Sequence, residues 1–278
     1  MDFINRMMEL EKNNQPYTIA TIVKAEGSVP GKIGFKILVD TAGQVFGTVG
    51  GGSLEKRIIS DSLVKLKSGE SGLEEYTLTD KPHTSAKKQV ENVVPMMCNG
   101  KVSVFFELHH ELPAVYLFGG GHVGNAVLYH LHHLPIRAIL IDNRKEYANP
   151  EKNPYAHQYI NQDYRKFAKE FTPADNSFII IMTHEHTYDY DILSHLYKNR
   201  NRVNYIGVIA SKSKAAKTID KLKKEFGSKI NLGSLYMPIG LDLGGNTAAE
   251  IALSIAAEIQ TVLQNRPANH LSVTKENS

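Results

Sequence analysis

The chain has 278 residues, enough for about two domains, and its 42% apolar and 22% charged residues are those of a globular protein with a sizeable core. No stretch approaches the roughly 20 apolar residues of a membrane span, and the opening MDFINRMMELEKNNQ contains no apolar signal core. A net charge of +3, from 32 basic and 29 acidic residues with no basic stripe, argues against nucleic acid as a partner.

Residues 2–13 carry helical periodicity, and the β-branched run Tyr17 to Ala25 predicts a strand leading into the turn-rich EGSVPGKIG. Phe35 to Asp40 and Val45 to Val49 flank Thr41-Ala42-Gly43-Gln44 as the arms of a hairpin. Apolar residues at Leu54, Ile58, Ile59, Leu63 and Leu66 predict an amphipathic helix over Ser53 to Lys67. Leu73 to Thr79 reads as a strand and the polar, basic residues 80–91 as a loop. Val93 to Cys98 and Lys101 to Leu108 flank Asn99-Gly100, the strongest short signal for a hairpin with a type I′ turn. Cys98 is the lone cysteine, which excludes an intrachain disulfide and points to a cytoplasmic protein.

After a linker at 109–113 the pattern becomes regular. Strands are expected at Ala114 to Phe118, Ile136 to Asp142, Phe178 to Thr183 and Val203 to Ile209. Helices are expected at Val123 to Leu134, about 189–199, about 212–226 and Thr247 to Gln264, followed by a polar, frayed tail. Such alternation predicts a parallel sheet with right-handed crossovers. The chain therefore reads as an α/β protein. An N-terminal α+β domain, residues 1–110, precedes a Rossmann-like parallel-sheet domain, residues 111–278.

Four loops carry candidate chemistry. Gly119-Gly120-Gly121-His122-Val123-Gly124 supplies G-x-G-x-x-G between a strand and a helix, and Asp142 ends the next strand about 20 residues later. These glycines suit a tight turn, close approach to a phosphate and helix packing, while Asp142 suits a ribose hydroxyl. A turn of purely structural use is the alternative. Gly50-Gly51-Gly52-Ser53 opens the first-half helix with Ser53 as its expected N-cap and suits close backbone approach to an anion, over which Gly27 to Lys32 is a candidate to fold; a tight turn with an ordinary cap is the alternative. In Pro238 to Gly244, Gly240 and Asp242 belong to a loop longer than a helix cap needs, and Thr247 with Glu250 forms a capping box. His184 and His186 leave the end of a buried strand as candidate metal ligands or proton carriers, with helix capping as the alternative.

Taken together, these elements resemble the XdhC/CoxI family, the accessory factors of xanthine dehydrogenase and related molybdenum hydroxylases. The resemblance runs over nearly the whole chain. It rests on Gly27 to Pro30, Gly47 to Glu55, Cys98 to Gly100, Gly119 to Gly124, the His-x-His at His184, Tyr205-Ile206-Gly207, and Pro238 to Gly244. Three positions depart from the pattern: Asn99 replaces a glycine, Ala210-Ser211-Lys212 replaces a Gly-Ser-Arg-like segment, and Tyr236-Met237 stands where a histidine is expected.

The resemblance implies a maturation chaperone, rather than a turnover enzyme, that binds the molybdenum cofactor (a pyranopterin). It further implies help in sulfuration and delivery of the cofactor to an apo-hydroxylase, with a cysteine desulfurase as a further partner and a homodimer as the assembly. Cys98 would contact molybdenum or carry sulfur, with His184 and His186 as secondary metal candidates. Gly119 to Gly124 would hold a phosphate and Gly50 to Ser53 a second ligand edge. An NAD-dependent oxidoreductase, with Asp142 on the ribose and His184 or His186 as acid–base group, remains the alternative. A scaffold that only docks partners is a third reading.

Overall fold

The computed structural model describes residues 2–80, 92–174, 176–199 and 203–272. The expected loop at 80–91 and the end of the polar tail lie largely outside them. The chain divides into two compact units, Met1–Glu111 and Leu112–Ser278.

In the first unit, α1 (Phe3–Lys12) precedes β1 (Tyr17–Gly27), β2 (Lys36–Asp40) and β3 (Val45–Thr48); then come α2 (Gly52–Ser68), β4 (Gly72–Thr79), β5 (Val93–Pro95) and β6 (Gly100–His109). The six strands form one sheet in the order β3-β2-β1-β6-β4-β5. Alternation along β2 assigns its two faces. Ile37 and Val39 pack with Leu54 and Ile58 of α2, whereas Leu38 packs with Leu10 of α1, as the period of two requires. Asp2 caps α1 through Asn5 N–H, and Arg6 ties that helix to Asp40 at 2.7 Å.

The expected hairpin around Asn99-Gly100 does not form. β5 pairs in parallel with β4, while β6 pairs with β1 and with the other side of β4. Gly100 is needed for another reason. It faces Gly27 in the β1–β6 register, and a methyl carbon there would stand 2.5 Å from the Glu26 carbonyl oxygen and 2.7 Å from Val29. Close approach between strands, and not positive φ, selects that glycine.

The second unit runs β7 (Ala114–Phe118), α3 (His122–Leu131), β8 (Arg137–Asp142), β9 (Gln158–Asn161), α4 (Tyr164–Glu170), β10 (Phe178–Ile181), α5 (His186–Lys198), β11 (Tyr205–Val208), α6 (Lys212–Phe226), β12 (Leu235–Tyr236) and α7 (Ala248–Leu263). Its sheet is parallel throughout, ordered β12-β11-β10-β7-β8-β9. This is the doubly wound Rossmann order, and the direction of winding reverses between β7 and β10. Phe178 and Ile180 pack towards α3 and α7, and Ile179 and Ile181 pack towards α4, α5 and α6. Burial on both faces explains the uninterrupted apolar run. Sequence patterning passed over β9, α4 and the two-residue β12, all of them short.

Gly119 has φ +113°, and a side chain there would meet the Met182 carbonyl oxygen at 2.3 Å; at Gly124 it would meet the Gly119 carbonyl oxygen at 2.0 Å. Strand, turn and helix are thus pressed together with no room for a methyl group. Gly124→Ala should destabilise the parallel-sheet unit by about 2 kcal/mol through overpacking, read as a shift in its urea midpoint. An unchanged midpoint would show that the turn can relax.

Candidate functional site

The carboxyl ends of the parallel strands, beside the point where winding reverses, gather the glycine turn after β7, the Thr183–Glu185 segment after β10, the 209–211 segment after β11 and the 237–247 loop after β12. Ligands of open α/β sheets bind at this edge. Gly121 is the N-cap of α3, with no side-chain cap, and a methyl carbon built on it would meet nothing within 4 Å. The first turn of the helix thus keeps its N–H groups, the positive end of its dipole and open space ahead of it, the requirements of an anion site. His122 is exposed, Val123 half-buried and Gly124 buried, so within this run the exposed edge is at 121–122.

Gly120 is fixed from behind. Its N–H donates to Asp142 Oδ2 at 2.8 Å, and its carbonyl accepts from the amide of Asn153 at 3.1 Å. Asn153 is fully buried and also donates to the Tyr147 carbonyl at 2.7 Å.

Asp142, expected to meet a ribose hydroxyl, is itself fully buried and occupied. Arg144 grips both its oxygens, Nε to Oδ1 at 3.0 Å and Nη2 to Oδ2 at 2.8 Å, and stacks on Tyr147 at 3.9 Å. Burial alone would raise the Asp142 pKa. The hydrogen bonds from Arg144 and from the N–H groups of Arg144 and Gly120 outweigh it, and hold the carboxyl below its ordinary 3.8.

Among the described residues no group of three or more His, Cys, Asp or Glu side chains is placed to hold a metal ion. His184 is exposed and lies beside Tyr188, ring centres 5.5 Å apart. His186 opens α5, with Nδ1 3.4 Å from Asp189 Oδ2 and Nε2 against the ammonium of Lys214. Asp189 is buried; Thr183 serves its other oxygen with N–H at 3.0 Å and hydroxyl at 2.6 Å. Burial pushes the Asp189 carboxyl upward in pKa. The carboxylates of this segment were legible beside the histidines, but Lys214 did not stand out as a partner of His186 from sequence, because it lies on the next helix.

In the Pro238 loop, Gly240 has φ +98° and donates its N–H to the buried Glu258 of α7 at 2.9 Å. The same carboxylate accepts from the Tyr205 hydroxyl. Gly240 is therefore a structural anchor, whereas Asp242 is exposed. Thr247 and Glu250 form the capping box of α7.

In the first unit, three glycine-bearing segments converge. Asn99 accepts from Ser28 N–H at 3.0 Å, and side chains at Gly31 and Gly50 would strike the Val49 carbonyl oxygen at 2.2 Å and Pro30 at 2.6 Å. A side chain at Gly52 would touch Met96 at 3.3 Å, and Cys98, half-buried, is two residues further on. The Gly27 to Lys32 loop thus packs against the Val49 to Gly51 turn.

Ser53 is not the N-cap of α2. Gly51 takes that place, without a side-chain cap, and exposed Ser53 lies in the first turn. Glu55 instead reaches back to Val49 N–H at 3.1 Å, Gly51 N–H at 3.2 Å and the Thr48 hydroxyl. Burial would raise its pKa, but these donors outweigh it and hold the carboxyl low. The N–H groups of this run are engaged as far as Gly51, and Gly52 and Ser53 are its exposed edge.

A depressed Asp142 contributes stability that is fully present above its ordinary 3.8 and is lost as pH falls through the lowered value. Asp142→Asn should cost about 2 kcal/mol at neutral pH and flatten the acid arm of a stability-against-pH curve. An acid arm identical to wild type would assign that loss to other carboxylates.

With this geometry established, known proteins supply a context. A family model described as the XdhC Rossmann domain matches residues 115–259, and one described as the XdhC and CoxI family matches residues 10–77. The uncharacterized protein YqeB of Escherichia coli K12 is 27% identical over 268 residues, 96% of this chain and 47% of that protein. A probable xanthine dehydrogenase component of Bacillus subtilis 168 is 27% identical over 158 residues, 56% of this chain and 45% of that protein. The chain thus spans about half the length of the curated relatives it matches. A crystal structure described as a xanthine dehydrogenase from Bacillus halodurans shares the fold, with TM-score 0.51 and 19% identity over 96% of this chain and 97% of that one. Since the Rossmann-domain model alone spans more than half of the sequence, the chain belongs to the XdhC and CoxI family.

Proposed function

We propose that the chain is an accessory factor of a xanthine dehydrogenase or related molybdenum hydroxylase, which binds the molybdenum cofactor and assists its sulfuration and insertion. The observation that carries the reading is the setting of the sole thiol. Cys98 is half-buried, two residues after Met96, whose side chain lies beside Gly52 at the start of α2, and two before Gly100, which packs against Gly27 to Val29.

The donor set suits such a group. A thiolate is the soft ligand that a molybdenum–dithiolene centre accepts, and the exposed edge at Gly52 and Ser53 suits a polar pterin edge; the space before Gly121, within the second unit, by itself suits a phosphate-bearing ligand. When bound, the cofactor supplies the molybdenum centre; this chain's residues bind it, orient it and shield it. The apo-hydroxylase, a cysteine desulfurase, a second copy of the chain and a cytoplasmic location complete the proposal.

A second reading, an NAD-dependent oxidoreductase, is favoured by the strand order and the open Gly121. Against it stands Asp142, whose two oxygens are taken by Arg144 and Gly120.

Purification of wild type and Cys98→Ala from a molybdate-supplied host tests the proposal, with molybdenum and oxidised-pterin fluorescence measured on both. Near-stoichiometric cofactor in wild type, reduced severalfold in the variant, is expected. Absence of both from wild type, with no uptake of added cofactor and with thermal protection by NAD, would move the second reading to the front. Gly121→Ala should change stability by no more than about 0.5 kcal/mol while weakening retention of whichever phosphate-bearing ligand binds.

A further inference from the structure

A cleft of about 170 Å³ opens between α5 and α6 at the carboxyl end of β11, within the second unit. Its floor is apolar, from Leu193, Val208, Ile209 and Met237, and its rim carries His186, Lys214 and Lys217. No described carboxylate forms an ion pair with either lysine.

Their placement runs against helix electrostatics. Lys212 and Lys214 occupy the first turn of α6, whose positive dipole end normally attracts Asp or Glu, yet that turn contains no acid. Lys217 follows Lys214 by three positions, so the two share a face. The start of α5 lines the same cleft through His186 and through Asp189 of its first turn; it lacks a side-chain cap hydrogen bond, whereas Ser211 caps α6 through the N–H of Lys214. The two lysines and the acid-free first turn of α6 thus place positive charge on one opening with an apolar floor, while Asp189 is engaged by Thr183 and His186.

The imidazole is aimed by a buried group. Asp189, held by the N–H and hydroxyl of Thr183, lies beside Nδ1 of His186. A proton on Nδ1 turned to that carboxylate leaves Nε2 facing Lys214, so the ring stands ready to accept from the ammonium or, once protonated, to donate to an anion.

We propose that this cleft is a binding site for a small organic phosphate. Its phosphoryl group would lie among Lys214, Lys217 and His186, and its apolar part would rest on Ile209 and Met237. Asp189 is the positioning residue for the imidazole. The site is separate from the Gly121 turn and does not depend on Cys98.

The probe is phenyl phosphate, titrated into the full chain by calorimetry, with inorganic phosphate as comparison. Lys214 and Lys217 are exposed, so the double variant Lys214→Gln with Lys217→Gln should keep the wild-type Tm. It should weaken phenyl phosphate binding at least about tenfold, a loss of about 1.4 kcal/mol. His186→Gln should weaken it severalfold. The apolar floor requires phenyl phosphate to bind at least about fivefold tighter than inorganic phosphate. Gly121→Ala should bind as wild type. No binding by wild type, undiminished binding by the double variant, equal affinity for the two phosphates, or loss in Gly121→Ala instead would each overturn the proposal.

Discussion

The second unit depends on three stretches of backbone meeting at a distance that excludes side chains. A methyl carbon at Gly124 would stand 2.0 Å from the Gly119 carbonyl oxygen, and one at Gly119 would stand 2.3 Å from the Met182 carbonyl oxygen. These contacts bring α3 onto the end of β7, and the end of β7 onto the end of β10. Since those two strands flank the reversal of winding, the same close packing creates the crevice and leads an uncapped helix start into it. Gly121 alone in the turn has open space before it, which separates the glycine that leaves room for a ligand from the glycines that permit the fold.

A related constraint operates in the first unit by different means. Gly27 and Gly100 face each other across two strands, and Gly31 and Gly50 let two loops touch. The carboxylate of Glu55 then satisfies the N–H groups of Val49 and Gly51 that this arrangement exposes. The outcome is a tight end of the sheet with the chain's single thiol in it.

Much of this was legible in the sequence. Alternation of apolar runs and amphipathic helices exposed the parallel sheet, because strands buried on both faces have no polar residues to hide. The G-x-G-x-x-G turn and the capping box at Thr247 were readable since each is a local device. Asn99-Gly100 misled for a physical reason: glycine answers two needs, positive φ and close approach, and sequence alone does not separate them. Ser53 misled because Gly51 took the cap position while Glu55 supplied the donors' partner from one turn within. Arg144, two residues from Asp142, was a signal available and unused. The pairing of His186 with Lys214 was not available, since it exists only once two crossovers have laid α5 and α6 side by side. β9 and β12 were too short to show any period.

Glu258 holds one buried carboxylate and divides it between the hydroxyl of Tyr205 and the N–H of Gly240. Lifting the 238–244 loop would take one donor from a carboxylate on a residue only 6% exposed, so the loop has one electrostatically preferred resting position. Its anchor and its display surface are different residues. Asp242 and Leu243, both exposed, are what the loop presents to its surroundings, while α7 fixes where it stands.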